Sequence, residues 1–227
     1  SFDTLVWLAI FIATTTGMLL LNKVLATGVS DKYFLLLLQS VFSILMSYLG
    51  ASLGIFQPLR PFTRETVLRF VPPSLVFFFM LLTSLISLPH VAISTVLVAR
   101  SLSVCVVAGL ENFLFGAAKS PEQLRALAII VAGSLIYGCT DTTFNPKGYF
   151  WMAINSGFQI TCQLLENNVV NKTHNQTAEG MSIIQNALVV PIAGTLMLAT
   201  GEQPLTTFRQ ISNPLAFGVL LSGVAGF

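Results

Sequence analysis

Hydrophobic stretches of membrane-spanning length, broken by short polar clusters, recur along the whole chain. The first runs from Thr4 to Met18 without a charge and continues through Leu19, Leu20 and Leu21 to Asn22 and Lys23. About 20 largely apolar residues make one crossing, with Gly, Pro and charge clusters as breaks. On that basis the pattern predicts eight helical spans, at 4–27, 33–56, 66–88, 90–116, 122–140, 148–171, 181–200 and 214–227. The first is expected to be a retained helix: it is too long for a secretory signal and lacks a positively charged leading region. Only about 14 residues of the eighth span precede Phe227, so the chain is expected to be a fragment.

An internal repeat organises these spans. In the first copy LLNK ends helix 1, YFLLLLQS opens helix 2 and PLRPF precedes helix 3; in the second VVNK ends helix 6, MSIIQN opens helix 7 and PLTTF precedes helix 8. Gln39 to Pro58 and Gln185 to Pro204 are both 19 residues, and Leu59/Leu205 and Phe62/Phe208 match at the same offset. WLAI at 7–10 and WMAI at 151–154 add a weaker match. Five spans separate the copies, and an odd number of crossings turns the second copy upside down. The expected fold is therefore an all-α, multi-spanning membrane bundle in a five-plus-five inverted repeat. Residues 1–140 form the first five-helix repeat, and 141–227 form an incomplete second repeat of helices 6 to part of 8, with ten helices in the intact protein.

Composition agrees: 54% of residues are hydrophobic and 9% charged, against about 25% charged in an average soluble domain. With 11 Lys+Arg, 9 Asp+Glu and no block of like charge, nucleic acid is excluded as a partner. Basic residues in short loops favour the cytoplasm. A cytosolic N-terminus puts Arg60, Arg64, Arg69, Lys119, Arg125 and Lys172 on the cytosolic side, against Lys32, Lys147 and Arg209 opposite. The sequons at Asn171 and Asn175 then face the cytosol and stay unmodified. Cys105, Cys139 and Cys162 show no ligand spacing and read as packing residues.

Charge inside a span costs about 2.5–3.5 kcal/mol near the bilayer centre, so intramembrane polar residues are candidates. Arg100 has ten uncharged residues on either side. It reads either as an anion-binding group facing a cavity or as half of a buried ion pair with Glu166. The anion reading is favoured, because arginine's planar fork suits phosphate. Lys23 stands near a helix end, where binding an anion and snorkelling compete evenly; Asn22 and Thr14, Thr15 and Thr16 support the first. Glu111 serves as a gate contact or caps a helix end, the latter being slightly preferred. Asn155, Gln159, Gln163 and Asn167 recur every four residues as one polar stripe that must face protein or water. It provides either interhelical hydrogen bonds or contacts to nucleobase and sugar. Gln185 and Asn186 open helix 7 similarly, and Phe77, Phe78 and Phe79 have no site role.

The chain resembles the nucleotide-sugar transporters, a branch of the drug/metabolite transporter superfamily that also contains the triose-phosphate translocators. The resemblance covers nearly all of the sequence. It is carried by LLNK, LLLLQS, PHVAISTVLVARSLSVCVVAGLENFLFG, DTTFNPKGYFWMAIN and IIQNALVVP. It implies ten helices, cytosolic termini, and exchange of a cytosolic nucleotide sugar for a lumenal nucleoside monophosphate across the Golgi or endoplasmic-reticulum membrane. In GDP-mannose transporters a Phe-Tyr-Asn-Asn stretch with a following Pro is linked to base recognition. Here Ile183-Ile184-Gln185-Asn186 with Pro191 stands in register and only Asn186 matches, so both a GDP-mannose-like substrate and a UDP-sugar stay open. The family's Gly-Ala-Leu-Asn-Lys motif in helix 9 would lie beyond Phe227. Basic residues of helices 1 and 4 bind phosphate in the triose-phosphate branch, and Lys23 and Arg100 resemble them.

The expected activity is alternating-access antiport without chemistry. The expected substrate contacts are Lys23, Asn22, Arg100, Asn155, Gln159, Gln185 and Asn186, with Glu111 and Glu166 as gate or structural residues. Nucleotide sugar, nucleoside monophosphate, the lipid bilayer and a second copy of the chain are the expected partners; no cofactor or metal is expected. A triose-phosphate translocator is one alternative, although the amide stripe argues for a larger ligand. A non-transporting membrane protein on the same scaffold is another. An enzyme is the least supported class: His90 and His174 lie near loops, and paired acids, a Ser/His array and metal spacing are all missing.

Overall fold

A computed structural model describes residues 2–54, 62–116, 119–140, 144–172 and 177–202. Its long helices are α1 (Phe2–Gly28), α2 (Lys32–Ser52), α3 (Arg64–Ser87), α4 (Ile93–Phe115), α5 (Pro121–Thr140), α6 (Pro146–Lys172) and α7 (Ala178–Thr200), with one 3-10 turn, Leu88–His90, after α3. These seven follow the first seven expected spans closely. The eighth, the PLTTF motif and His174 lie outside the described residues, as do most of PLRPF and half of the two sequons. By length and composition α2, α3 with its turn, α4, α5 and α7 are each able to cross a membrane.

The described residues pack as two compact units. One comprises residues of 1–74 and 175–227, the other those of 75–174. Packing thus divides the chain differently from the sequence repeat, because helices from both copies stand in each unit. The chain leaves the first unit inside α3, directly after the Pro72-Pro73 pair. Each proline removes one helical N–H donor there.

In the first unit α2 packs along α7. Ser40, Ser43, Ser47 and Gly50 are buried on α2, and Ala193 on α7, so small residues let the backbones approach. A Cβ added at Gly194 would already touch Leu37 at 3.5 Å. The end of this pair is closed electrostatically. The Glu202 carboxylate accepts from the backbone N–H groups of Phe34 (2.9 Å) and Tyr33 (3.4 Å), the unpaired first turn of α2. Lys32 donates its ammonium to the carbonyls of Ala26 and Val29 at the end of α1. One charge of each sign therefore caps the two helix ends of the α1–α2 turn. Glu202→Ala is expected to cost about 1–2 kcal/mol, read as faster hydrogen exchange at the Tyr33 and Phe34 amides with other α2 amides unchanged.

In the second unit α4 packs against both α5 and α6. The α5 contact is polar at two points: the Tyr137 hydroxyl bonds with Ser94 (2.7 Å) and Thr95 (3.0 Å), and the Cys105 thiol donates to the Leu127 carbonyl (3.8 Å). Ile129, Leu135 and Ile136 on α5 are exposed, as suits a lipid-facing helix.

Candidate functional site

Two contacts set the register of α4 and α6. Gly148, at the start of α6, lies against His90 and Val91, where an added Cβ would come within 2.7 Å of the His90 carbonyl oxygen. At the other end Asn167 Nδ2 donates to Glu111 Oε1 at 2.6 Å. The two helices therefore run parallel, and the same offset puts Arg100 level with Ser156 and Gly157. Glu166 falls level with Leu110, ten residues from Arg100, or about 15 Å along the axis.

That distance removes the buried ion pair between Arg100 and Glu166 as an account of the arginine. Glu166 instead accepts from the buried Cys162 thiol, one turn away, at 3.0 Å. Arg100 is half-buried, on the same stripe of α4 as the buried Val96, Ser103 and Val107. Among the described residues its guanidinium has no hydrogen bond or ion pair. A cation in the middle of a span without an acidic partner is chemically suited to receive an anion.

The amide stripe of α6 winds round the helix instead of lining one face. Four residues turn an α-helix through more than one revolution, so each step drifts by about 40°. Asn155 is buried and donates to the Met80 carbonyl (2.6 Å) and to Thr83 Oγ1 (3.1 Å), tying α6 to α3. Asn167, three steps on, is exposed and bonded to α4 through Glu111. At both ends these amides are interhelical ties. Gln159 and Gln163, half-buried between them, are the members whose amides could reach a ligand.

Glu111 is not a simple helix cap. Its second carboxylate oxygen is paired with Lys119 Nζ at 2.8 Å, so it joins α4, the segment before α5 and α6. Lys119 appeared in the sequence only as one loop charge among several.

The remaining candidates lie in the first unit. Asn22 Oδ1 accepts from Gln39 Nε2 at 3.0 Å, a pairing of α1 and α2 that single-helix reasoning missed although both residues belong to the repeated motifs. Lys23 and Gln185 are half-buried beside it in sequence and on α7 respectively. Asn186 is buried, its Nδ2 donating to the Ser182 carbonyl at 3.0 Å within its own helix. Of the aromatic run, Phe78 is buried and Phe79 stacks on Phe158 with centroids 5.6 Å apart.

A cavity of about 330 Å³ opens between α4, α5 and α6, bounded by Ala99, Leu102, Val106, Tyr137, Met152 and Ala153 among others. None of the expected substrate residues lines it. Most of its hydroxyls are engaged already: Ser103 and Ser134 donate to carbonyls of their own helices and Tyr137 bonds with Thr95. It is chemically wrong for a phosphate.

No family model matches the chain. Individual proteins do. A GDP-mannose transporter of Arabidopsis thaliana is 25% identical over 187 residues, covering 79% of this chain and 56% of that protein. GDP-fucose transporter 1 of the same plant is 28% identical over 184 residues, covering 80% of this chain and 53% of the relative. A GDP-mannose transporter of Chaetomium globosum is 23% identical over 237 residues, covering 93% and 60%. The chain thus spans little more than half the length of these curated relatives.

Proposed function

We propose, on the premise that this chain is a relative of the nucleotide-sugar transporters, that it carries a nucleotide sugar across a membrane. The observation that supports this best is Arg100, half-buried in the middle of a span and without a hydrogen bond or ion pair among the described residues, in a chain similar to such transporters over most of its length. A nucleotide sugar has the diphosphate that such a guanidinium would bind through a bidentate, charge-assisted contact. In the second unit Arg100 is the phosphate contact and Gln159 an amide contact, while Asn155, engaged with Met80 and Thr83, holds α6 against α3. The first unit, taken by itself, carries Lys23, Asn22, Gln185 and Asn186, a cation and amides of the kinds that engage a phosphate and a base. No bond is made or broken in the substrate.

The transport is exchange. A cytosolic nucleotide sugar enters against a lumenal nucleoside monophosphate, at a Golgi or endoplasmic-reticulum membrane, with the N-terminus cytosolic. An empty carrier holds the Arg100 guanidinium within the bilayer with no anion bound to it, so its reorientation is slow, and bound anion lowers that barrier.

Ligand class is tested by thermal melts of the purified full-length protein with GDP-mannose, GDP-fucose, UDP-sugars, nucleoside monophosphates and triose phosphates. Ligand held at 100 times its Kd stabilises by about 2.7 kcal/mol, worth about 5–10 °C at this size. That shift is expected for one base family only. A shift with triose phosphate alone, or none with any nucleotide sugar, overturns the proposal.

A further inference from the structure

Glu111 and Arg100 stand 11 residues apart on α4, three turns of 3.6 residues, so they project from nearly the same side, about 16 Å apart along the axis. Whatever sets the rotation of α4 at Glu111 also sets it at Arg100. Midway along the pair a cavity adjoins both helices, bounded by Ala99 and Leu102 on α4 and by Met152 and Ala153 on α6, so directional contacts are sought at the ends. Contacts at the two ends remain. At one, Gly148 against His90 and Val91 fixes the spacing but, lacking a side chain, offers no directional bond. At the other, both carboxylate oxygens of Glu111 are committed, to Asn167 at 2.6 Å and to Lys119 at 2.8 Å. The Glu111 and Lys119 side chains are 20% and 21% exposed, so this ion pair is shielded better than an ordinary surface pair.

We propose that Glu111 is a positioning residue for anion recognition. By accepting from Asn167 it locks the rotation of α4 against α6 and so directs the Arg100 guanidinium. By pairing with Glu111, Lys119 cancels a negative charge that would otherwise stand on the side of α4 that receives an anion. This assignment rests on the transport reading of Arg100.

A double-mutant cycle on nucleotide-sugar uptake by the full-length protein in liposomes tests it. Glu111→Ala and Asn167→Ala remove the same bond. Each is expected to raise KM about tenfold, equivalent to about 1.4 kcal/mol, with the maximal rate within about twofold. Glu111→Gln still accepts from Asn167 and is expected to stay within about threefold of the wild-type KM, a rescue that loss of general stability would not give. In the Arg100→Ala background, on residual uptake, Glu111→Ala should change KM less than about twofold, because the group it aims is gone. Effects that multiply, or a Glu111→Ala change confined to the maximal rate, overturn the assignment while leaving transport intact. If Glu111→Ala does not fold, Asn167→Ala carries the cycle. A wild type that takes up no nucleotide sugar brings down the transport reading first, and this assignment with it.

Discussion

Arg100→Ala is expected to abolish at least 99% of nucleotide-sugar uptake while leaving the protein as stable as before or slightly more stable. The two effects have opposite signs for one reason. A half-buried guanidinium without an acidic partner among the described residues costs the folded protein free energy within a membrane span. Truncation removes that cost. If the arginine instead supported the fold through a buried ion pair, truncation would leave a charge uncompensated and cost about 3–5 kcal/mol. The loss of uptake corresponds to about 2.7 kcal/mol, two tenfold steps of 1.36 kcal/mol. That is within reach of a charge-assisted contact to a diphosphate in a dry site. Arg100→Lys keeps the charge and loses the fork, so it should retain roughly a tenth of wild-type uptake. Initial uptake rates and thermal melts on the same preparations check both halves. A marked fall in melting temperature for Arg100→Ala would return the arginine to a structural role.

The largest stability effect is expected at Gly148. An ideal Cβ there would stand 2.7 Å from the His90 carbonyl oxygen, 2.8 Å from Val91 Cγ1 and 2.9 Å from His90 Cβ. Two of those three atoms belong to the backbone or lie directly on it, in the turn between α3 and α4, and cannot swing aside as a flexible side-chain tip would. Gly148→Ala must push α6 away from that turn, and Gly148→Val adds two further methyl groups to the same clash. Overpacking of this kind costs about 1–3 kcal/mol and sometimes more. For Gly148→Val about 3 kcal/mol is expected, a fall in melting temperature of about 6–12 °C for a chain of this size. The thermal melt in detergent measures it. An unchanged melting temperature would show that the α4–α6 pair is not seated on this glycine.

The helices were legible because the bilayer writes them into composition. Apolar runs of about 20 residues between polar breaks marked the helices, whereas the start of α7 was missed by three residues because Thr177, whose hydroxyl accepts from the Gly180 N–H at 3.2 Å, was read only as part of a sequon. Arg100 was legible as a candidate for the same reason, a charge with nothing polar around it in sequence. Its lack of a partner among the described residues was not, because whether Glu166 could reach it depended on the register of α4 against α6. That register is set by Gly148 and by Glu111 with Asn167, contacts between residues more than fifty positions apart. The α6 stripe misled in a specific way. A four-residue repeat looks like one line on paper, but on a helix of 3.6 residues per turn it spirals, and Asn155 and Asn167 end up bonded to different neighbours. Glu202 and Lys32 escaped notice because each looked like an ordinary loop charge until folding set them at the two ends of one turn.

The most direct test of the central claim is uptake of labelled GDP-mannose by the full-length protein in liposomes that are either preloaded with GMP or empty. Exchange predicts rapid uptake into the loaded vesicles, at least about tenfold faster than into the empty ones, and loss of that difference in Arg100→Ala; a UDP-sugar against UMP would serve as the equivalent pair if the melts select uridine. Equal uptake into loaded and empty vesicles would contradict exchange, and no uptake of any nucleotide sugar by well-folded protein would contradict transport.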